Sequence, residues 1–573
     1  MKSRGESLRL VVGVVATGVL LLLANGEALA DAPWAPWTRV DDAYGAVQTG
    51  PRIATDPTGN SFSIWEDTRN YLDQYMGING SDIYFSYRPA GGSWGQSIKI
   101  NDNTGISWRS SPDIALDTQG NVYAIWWDGR NGSQGDIYFA YRPAEGSWGT
   151  NVEVSDGQSM PCTNEDNYSN CSAPRIAVDG RGNAYAVWMD GRAQHLAVYF
   201  SNRPSGGYWG PNIKVTDVSV PADGTAPSPA SIAVDTAGNA HVMWSDSRSG
   251  NPDVYYAYRP NGGSWSPAVK VNDDPNEPGM QVQESPVIAL DARGNAYAAW
   301  WDNRNGNIDR GVRYADVFFS IRSPGGDWTP NVRVNDSAAR VTGGPAILAD
   351  GWGNLWAAWT DWRNATGLLG GYYVDEYTSY RPAGGAWQPS TRLDQTGGSQ
   401  KLTPSLSTDN RGNIYAIWTM RGAVRPIPAG QPNSVFSWAS YYKRAGIDIR
   451  PGTSTNAIDP KGNGIIPVAV LSEPGFDAPA QMDRASLTFG RTGSETSLAS
   501  CSNTLEDISG DGLRDLVCNF DTAATGFRAG DTEGILAGQT VSGVQFQARD
   551  QIVAISDLTH RVMIPIVQAS RPG

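Results

Sequence analysis

An aspartate and an arginine recur two residues apart, directly after a tryptophan, at several places in this sequence. The stretches IWWDGRNG (125–132) and AWWDNRNG (299–306) show the arrangement. A carboxylate can act as a general acid or a nucleophile, and a guanidinium can hold an anionic group of a substrate. A spacing of two places both side chains on one face of a β-strand. The residues could therefore form a catalytic or an anion-binding site.

The number of copies argues against catalysis. Tryptophan, aspartate and arginine stand two residues apart in six places: Trp65, Asp67 and Arg69; Trp126, Asp128 and Arg130; Trp188, Asp190 and Arg192; Trp244, Asp246 and Arg248; Trp300, Asp302 and Arg304; Trp359, Asp361 and Arg363. Catalysis needs such a group once, beside one substrate, whereas a repeated scaffold needs every copy. Arg130 can brace a hairpin through Asp136, and Arg248 through Asp253. We interpret the motif as mainly structural, with a ligand site as the alternative.

A longer repeat explains the copies. The pattern D-x-x-G-N starts at Asp56, Asp117, Asp179, Asp235, Asp291, Asp350 and Asp409, and a tryptophan follows nine residues after each aspartate. Each unit divides into four short strands, as in PDIALD, NVYAIWWD, DIYFAYRP and NVEVSD of the second unit (112–156). Four antiparallel strands form one blade of a β-propeller, and a closed ring of blades leaves no long sheet edge exposed. The sequence therefore predicts an all-β, seven-bladed β-propeller over residues 31–444.

The two ends of the predicted propeller complement each other. The seventh unit stops at SWASYYKR (437–444) and lacks a last strand. WTRVDD (37–42) is similar to the last strands of other units, such as IKIND (98–102). We expect the N-terminal segment to supply the outer strand of the seventh blade and so to close the ring.

One turn resembles a family motif. YRPAGGSW (87–94) and YRPNGGSW (258–265) resemble the Asp-box (BNR) turn of sialidase-like propellers in their glycine and tryptophan. Pro89 and Pro260 stand where that motif has its aspartate, and sialidases have six blades rather than seven. The resemblance implies a sialidase-like propeller fold and raises the expectation of contact with a glycan.

The long insertions fall on one face of the predicted ring. They lie between the second and third strands or between units, at 70–81, 160–171, 305–315 and 364–374. Irregular loops on a rigid frame commonly carry binding sites. Tyr71, Trp108 and Tyr372 lie in or near these loops and could stack on sugar rings. They could equally cap neighbouring blades.

Three ionisable residues stand at one repeat position, four residues before the D-x-x-G-N aspartate. Arg52, Asp113 and Arg175 occupy this position in the first three units, which places them near the mouth of the central channel. Two guanidiniums could grip a carboxylate or a sulfate, and sialidase-like enzymes use an arginine cluster in this way. The F-R-I-P word of that family is absent, and so is a suitable tyrosine–glutamate pair. We expect the three residues to pair with each other, with ligand binding as the alternative.

The N-terminus has the pattern of a secretory signal peptide over residues 1–30, with basic residues, an apolar run and the small-residue site Ala28-Leu29-Ala30. Its removal changes the formal net charge from −14 to −15. Such an acidic chain is unsuited to nucleic acid, and no later segment is apolar enough to span a membrane. We expect a secreted or cell-surface protein with two local disulfides, Cys162–Cys171 and Cys501–Cys518.

The repeat ends at Arg444, and residues 445–573 favour a β-sandwich. Their IDIRPG, IPVAVL and GDTE stretches resemble a β-rich module found near the C-termini of secreted bacterial proteins. Asp507, Ser509, Asp511, the Leu513 carbonyl and Asp515 have the alternate spacing of a calcium loop. Cys518 replaces the usual last ligand, so a plain Asp-Gly turn is the alternative. We expect a structural Ca²⁺.

These patterns favour an exported, non-enzymatic binding or surface protein. Its loop-rich face is expected to recognise a glycan or a partner protein, because no asymmetric catalytic set is visible. A sialidase-like glycoside hydrolase or lyase is the alternative hypothesis. A structural component of the cell surface is the third.

Overall fold

The structure is a computed structural model. It describes residues 34, 38–43, 46–73, 77–78, 80–132, 135–156, 173–192, 195–217, 220–221, 228–274, 281–305, 308–309, 312–336, 340–350, 353–363, 374–393, 400–409, 412–421, 435–442, 446–453, 455–472, 477–504, 506–510, 512–541 and 545–554. The signal pattern, Cys162, Cys171, Tyr372 and Asp511 lie outside these residues. Within them the chain is all-β, and none of its helices has the length and apolar character that crossing a membrane would require.

In the described residues, seven antiparallel sheets follow the repeat units, and each has a path of four strands. Sheet 1 is Gln48–Thr55, Ser61–Asp67, Asp82–Arg88 and Ile98–Lys99; sheet 2 is Arg109–Leu116, Val122–Asp128, Asp136–Arg142 and Val152–Glu153; sheet 3 is Arg175–Val178, Ala184–Asp190, His195–Arg203 and Ile213–Lys214, with Val220–Pro221 beside its third strand; sheet 4 is Ser228–Val234, Ala240–Asp246, Asp253–Arg259 and Val269–Lys270. Sheet 5 is Gln283–Leu290, Ala296–Asp302, Asp316–Arg322 and Val332–Arg333; sheet 6 is Ala346–Ala349, Leu355–Asp361, Asp375–Arg381 and Thr391–Arg392; sheet 7 is Gln400–Thr408, Ile414–Arg421, Val435–Tyr442 and Thr38–Arg39. Leu72–Asp73 pairs with Gly77–Ile78, Ile308–Asp309 pairs with Val312–Arg313, and Gly129–Asn131 is a 3-10 turn.

The D-x-x-G-N pattern forms the turn between the first and second strands. In sheet 1, the Asp56 carboxylate accepts the Thr58 N–H at 2.9 Å and the Asn60 N–H at 3.0 Å. Gly59 has φ +96°, which an L side chain rarely adopts. The Asn60 side-chain oxygen accepts the Ala90 N–H at 2.9 Å and so joins this turn to the turn before the fourth strand. These residues are therefore occupied in holding the two turns of one face together.

Apolar clusters fill the space between consecutive sheets. Seven clusters lie within the described residues, one at each junction from sheets 1 and 2 to sheets 6 and 7, and one between sheets 7 and 1. The seven repeat tryptophans are fully buried in them. The turn tryptophan Trp148 of sheet 2 packs edge-on against Phe85 of sheet 1, with ring centroids 5.2 Å apart. The sheets thus form a closed ring whose core is divided among its junctions.

The N-terminal strand lies where the sequence predicts it. Thr38 pairs with Ala439, and Arg39 pairs with Trp438, in antiparallel register. The Asp41 carboxylate accepts the Ser437 N–H at 3.1 Å. On the inner side of the same junction, Ser405 Oγ accepts the Ile53 N–H at 3.4 Å. Sheet 7 therefore contains both ends of the ring-forming segment.

The C-terminal residues form two further sheets around one apolar core. One sheet has the order Ile447–Ile449, Ile465–Val470, Leu516–Asp521 and Leu498–Cys501; the other has the order Thr488–Gly490, Glu533–Gln539 and Gln545–Gln551; Ala457–Ile458 pairs in parallel with Val553–Ala554. Ala478–Gln481 is an α-helix, and Arg484–Ser486 and Thr522–Ala524 are 3-10 turns. Val468 and Phe520 of the first sheet share the core with Phe489 and Leu536 of the second. The predicted Cys501–Cys518 disulfide is present.

Candidate functional site

The Trp-Asp-Arg motif is held together by local contacts. In sheet 1, Trp65 Nε1 donates to Asp67 Oδ2 at 3.1 Å. The other Asp67 oxygen accepts the Arg69 N–H at 2.8 Å, and Arg69 Nη2 donates to Asp67 Oδ2 at 2.7 Å. The Arg69 guanidinium lies 4.0 Å from the centroid of the Tyr84 ring. The indole, the carboxylate and the guanidinium therefore complete each other, which fits a structural role.

The expected brace between the arginine and the acid of the third strand is wrong. Arg130 pairs with Asp102, 2.8 Å away at the end of the preceding sheet, while Asp136 accepts from Asn131 at 2.9 Å and Ser155 at 3.2 Å. The same pairing joins Arg69 to Asp42, Arg192 to Asp156, Arg248 to Asp217, Arg304 to Asp273 and Arg363 to Asp336. Tryptophan, aspartate and arginine share the strand face that is turned toward the preceding sheet, so the guanidinium meets that sheet's aspartate. We name each of these six ion pairs a staple.

The junction between sheets 6 and 7 differs from the other six. Met420 stands where the other motifs have aspartate, and it is buried in the cluster between these two sheets. The buried Trp418 Nε1 consequently has no hydrogen-bond partner among the described residues. In the sequence, Gly422 and Gln395 occupy the places of the arginine and of the aspartate it would meet. Both halves of the staple are replaced together.

Arg52, Asp113 and Arg175, which we name the channel cluster, share one register position in three consecutive sheets. The register pairs Arg52 with Ile64, Asp113 with Ile125 and Arg175 with Val187. Each of these partners is the middle residue of its second strand. Arg175 begins the first strand of sheet 3, whereas Arg52 and Asp113 lie within their strands, because the first strands of sheets 1 and 2 extend further through a β-bulge.

Charge in the channel cluster is unevenly balanced. Arg52 Nε lies 3.7 Å from Asp113 Oδ1, and the other Asp113 oxygen accepts the Ile176 N–H of sheet 3 at 2.9 Å. Arg175 donates to the Pro174 carbonyl at 3.0 Å. Burial, together with the positive charge of Arg175, lowers the pKa of Arg52 to about 10. The cluster thus contains one carboxylate and two guanidiniums, and an ion pair joins Arg52 to Asp113.

The predicted surface aromatics differ in exposure. The Tyr71 hydroxyl is held between Arg109 Nη1 at 3.1 Å and Asp82 Oδ1 at 3.3 Å, so this half-buried ring braces its loop. Trp108 is 46% exposed on the connection between sheets 1 and 2. The structure therefore leaves Trp108 available to a ligand and uses the Tyr71 hydroxyl internally.

Two residues of this region were missed in the sequence. Arg109 is fully buried and stands where sheets 1 and 5 carry Gln48 and Gln283, a substitution that alignment of the repeats reveals. Glu66 follows the repeat tryptophan of sheet 1 and accepts a hydrogen bond from Thr49 Oγ1 at 3.0 Å. Burial raises its pKa to about 7. A carboxylic acid with a pKa near neutrality is a candidate for a chemical role, and it is not part of the repeat.

The predicted calcium loop is held by its own aspartates. The Asp507 carboxylate accepts the Gly510 N–H at 2.7 Å and the Gly512 N–H at 2.9 Å. Asp515 is fully buried, and its oxygens accept the N–H groups of Ile508, Ser509 and Ser472. Among the described residues no group of three His, Cys, Asp or Glu side chains is arranged to hold a metal ion. Asp511 lies outside them.

No family model matches this chain, and no curated protein matches it. Among solved structures, it is similar to a lectin from Burkholderia pseudomallei, at 11% identity and a TM-score of 0.41, over 69% of this chain and 100% of the lectin. It is also similar to an α-L-arabinofuranosidase of Fusarium graminearum, at 12% identity and a TM-score of 0.39, over 57% and 92%. A leech intramolecular trans-sialidase matches at 10% identity and a TM-score of 0.34, over 66% and 65%. At these values the similarities say nothing about what this chain binds.

Proposed function

We propose that this chain is an exported, non-enzymatic binding protein that holds an acidic glycan in a central channel. Its frame is a seven-bladed β-propeller (31–444), closed by the N-terminal strand and followed by a β-sandwich (445–573). The ring of seven sheets supports the propeller, and two sheets around one core support the sandwich. The signal pattern and the Cys501–Cys518 disulfide support export, because disulfides persist in oxidising compartments.

The observation that carries the proposal is the excess of positive charge in the channel cluster. Arg52 donates no hydrogen bond to any described residue, and Arg175 donates one. Guanidiniums that are partly desolvated and incompletely paired favour an incoming carboxylate or sulfate, which can accept two parallel hydrogen bonds. The overall charge of −14 repels anions from most of the surface. An anionic ligand is therefore attracted to the channel cluster rather than to the protein in general.

The test is a panel of neutral, uronic-acid-containing and sulfated glycans, scored for retained glycan and for released sugar together. We expect retention of acidic glycans without release. Arg52→Ala and Arg175→Ala should each weaken binding by about tenfold or more, as expected for loss of a charge-assisted hydrogen bond. Asp113→Asn removes the competing carboxylate and should preserve or strengthen binding.

Arg181→Ala is the matched control, because Arg181 is exposed in a turn on the opposite face. It removes the same charge without touching the channel and should leave binding unchanged. Retention that is indifferent to Arg52 and Arg175 would contradict the channel site. If no glycan were retained, a partner protein or a structural surface role would replace the proposal.

The raised pKa of Glu66 supports a glycoside hydrolase or lyase as the second candidate function. A pKa of about 7 would let this residue act as a general acid near neutral pH. In that case the panel would show released sugar, Glu66→Gln would abolish release but not retention, and release would fall as pH rises above about 7. Glu145→Gln is the control, since Glu145 is exposed in a turn. Release that survives Glu66→Gln would exclude this residue as the acid.

Structural calcium in the loop of residues 507–515 remains a proposal. The alternate spacing of oxygen-bearing residues in this stretch of the sequence supports it. CaCl₂ should raise the melting temperature of the C-terminal residues relative to EDTA, and Asp507→Asn should remove the shift. MgCl₂ at equal concentration is the control. An unchanged melting temperature would favour a plain Asp-Gly turn.

A further inference from the structure

Two apolar side chains are exposed on the connection between sheets 1 and 2. Ile106 is 76% exposed and Trp108 is 46% exposed, and they stand two residues apart on the segment that leads into Arg109. We name this pair the platform. Neither residue belongs to an apolar cluster of the ring. Sheets 1 and 5 carry the half-buried Val47 and Val282 at the position of Trp108, so the exposed indole is specific to sheet 2 among these three sheets.

The main chain beneath the platform is held firmly. The buried Arg109 guanidinium donates to the Ser107 carbonyl at 3.1 Å and to the Gly105 carbonyl at 3.0 Å. The Trp108 carbonyl accepts the Gly129 N–H at 2.9 Å. Three carbonyls are therefore fixed inward, and the side chains on either side of Ser107 remain directed outward. A rigid aromatic surface loses little conformational entropy on binding.

Arg109 does more than its counterparts in other sheets. Gln48 and Gln283 occupy the same position, and both make only short-range contacts. Gln48 donates to Asp67 at 3.3 Å. Gln283 donates to Asp302 at 3.4 Å and to Asp274 at 3.3 Å. Arg109 keeps the corresponding contact, with Nε 3.5 Å from Asp128 Oδ2. Its Nη atoms extend further, to the carbonyls under the platform. Arg109 Nη1 also donates to the Ser81 carbonyl at 2.7 Å and to Asp82 Oδ1 at 3.2 Å, so the extra length of arginine joins the loop to the third strand of sheet 1.

The neighbouring Trp127, unlike Trp108, is covered by other parts of the protein. A side-chain carbon at Gly135 would lie 2.3 Å from Trp127 Cε2, so the Gly135 backbone covers that ring. Trp127 is also packed against the cluster between sheets 2 and 3. Trp108 has neither cover, which leaves its ring free for a ligand.

We propose that the platform binds the apolar face of a neutral sugar ring, with Arg109 as a positioning residue. The proposal rests on glycan binding but adds a subsite that is separate from the acidic group in the channel. Two side chains cannot supply the roughly 800 Å² per partner that a stable protein interface buries. A sugar ring matches their size, because its axial C–H groups form a small apolar face that packs on an indole. The acidic net charge disfavours the alternative of stacked nucleic-acid bases.

The test titrates the intact protein with cellopentaose, xylopentaose and arabinopentaose, and in parallel with trigalacturonic acid, by calorimetry. Trp108→Ala should weaken binding of the neutral probe by about tenfold or more, and Trp108→Phe should restore most of it. Arg109→Gln should weaken neutral-probe binding and leave binding of the acidic probe unchanged, while the melting temperature falls because the buried Asp82 and Asp128 lose their guanidinium. Tyr208→Ala is the control, because Tyr208 is 91% exposed in a turn of the opposite face.

The outcomes separate this proposal from the channel site. Acidic binding that depends on Arg52, without neutral binding at Trp108, would overturn the platform and leave the channel proposal standing. Neutral binding that depends on Trp108, together with acidic binding that is indifferent to Arg52, would support the platform and contradict the channel. If Arg109→Gln lowered both affinities together with the melting temperature, Arg109 would be merely structural and its positioning role would be overturned.

Discussion

Arg69 Nη1 and Asp42 Oδ1 lie 2.7 Å apart, and this pair joins the N-terminal strand to sheet 1. The second Asp42 oxygen accepts the Ser97 N–H at 3.0 Å, just before the outer strand of sheet 1. Asp102 makes the equivalent contacts with Arg130 and Asn151 between sheets 1 and 2. The junction that closes the ring therefore uses the same staple as the junctions inside the continuous chain.

The two ends of a staple should contribute unequally to stability. Arg69→Ala leaves the fully buried Asp67 without its guanidinium and should lower the free energy of unfolding by about 3 kcal/mol. Asp42 has a side chain 40% exposed, so Asp42→Asn should cost under about 1 kcal/mol. Urea denaturation of the two variants measures both values. Equal losses would show that the pair acts mainly across the junction rather than within the motif.

Installing the missing staple should strengthen the junction between sheets 6 and 7. Met420→Asp alone should destabilise the ring, because it buries a carboxylate without a cation. Adding Gly422→Arg and Gln395→Asp should reverse the loss and raise the melting temperature above that of the wild-type protein. Calorimetry of the single, double and triple variants gives the coupling free energy. If the free-energy changes of the substitutions were simply additive, the three positions would not form a staple, which would contradict the alignment of the repeats.

His241 should make the ring sensitive to mild acid. Burial lowers its pKa to about 4, below the unfolded value of 6.5, so the unfolded state binds the proton more readily. The contribution of His241 to the free energy of unfolding is fully present above pH 6.5. It should fall by about 2 kcal/mol between pH 7 and pH 5, and it should continue to fall down to pH 4. The measurement is the unfolding free energy of wild type minus that of His241→Tyr across this range.

Tyrosine is the matched replacement for His241 because sheets 2 and 3 carry Tyr123 and Tyr185 at this position. Each hydroxyl donates to the repeat aspartate, at 3.0 Å and 3.1 Å. Glu66, whose pKa is raised, contributes the opposite trend between pH 4.5 and 7 and cancels in the difference. A difference independent of pH would show that His241 is protonated without penalty.

The Cys501–Cys518 disulfide should stabilise the C-terminal sheets alone. It closes a loop of 17 residues, for which the chain-entropy model gives about 3 kcal/mol. In the double alanine variant, amides of Leu516–Asp521 should exchange faster, while those of sheets 1 to 7 keep their protection. Faster exchange throughout would instead show that the two parts unfold together.

Repetition made the architecture predictable from sequence. Seven copies of one strand-turn pattern fix the strands and their turns, and the match of WTRVDD (37–42) to other outer strands led to the observed pairing of Thr38 with Ala439. The partner of Arg130 was mistaken because Asp136 is near in sequence whereas Asp102 is near only across a junction. A pattern within one unit contains no information about which face is turned toward the preceding sheet.

The candidate site was less predictable because it consists of departures from the repeat. Arg52, Asp113 and Arg175 were found, but the place of Arg52 and Asp113 within their strands depends on β-bulges that lengthen these strands. Trp108 was found as an aromatic near a loop, whereas its exposure depends on the buried Arg109 beneath it. Aligning the units shows that Arg109 replaces glutamine, and only three-dimensional contacts show what the longer side chain reaches.

The staples also bear on how such a protein can change over time. Each lies at the ends of strands, and the pairs Arg192–Asp156 and Arg363–Asp336 form although the sequence has long insertions close to them. Selection can therefore act on the loops almost independently of selection on the frame. Loops exchanged between two staples should be tolerated as interchangeable cassettes, which makes this ring a starting point for grafting new recognition surfaces.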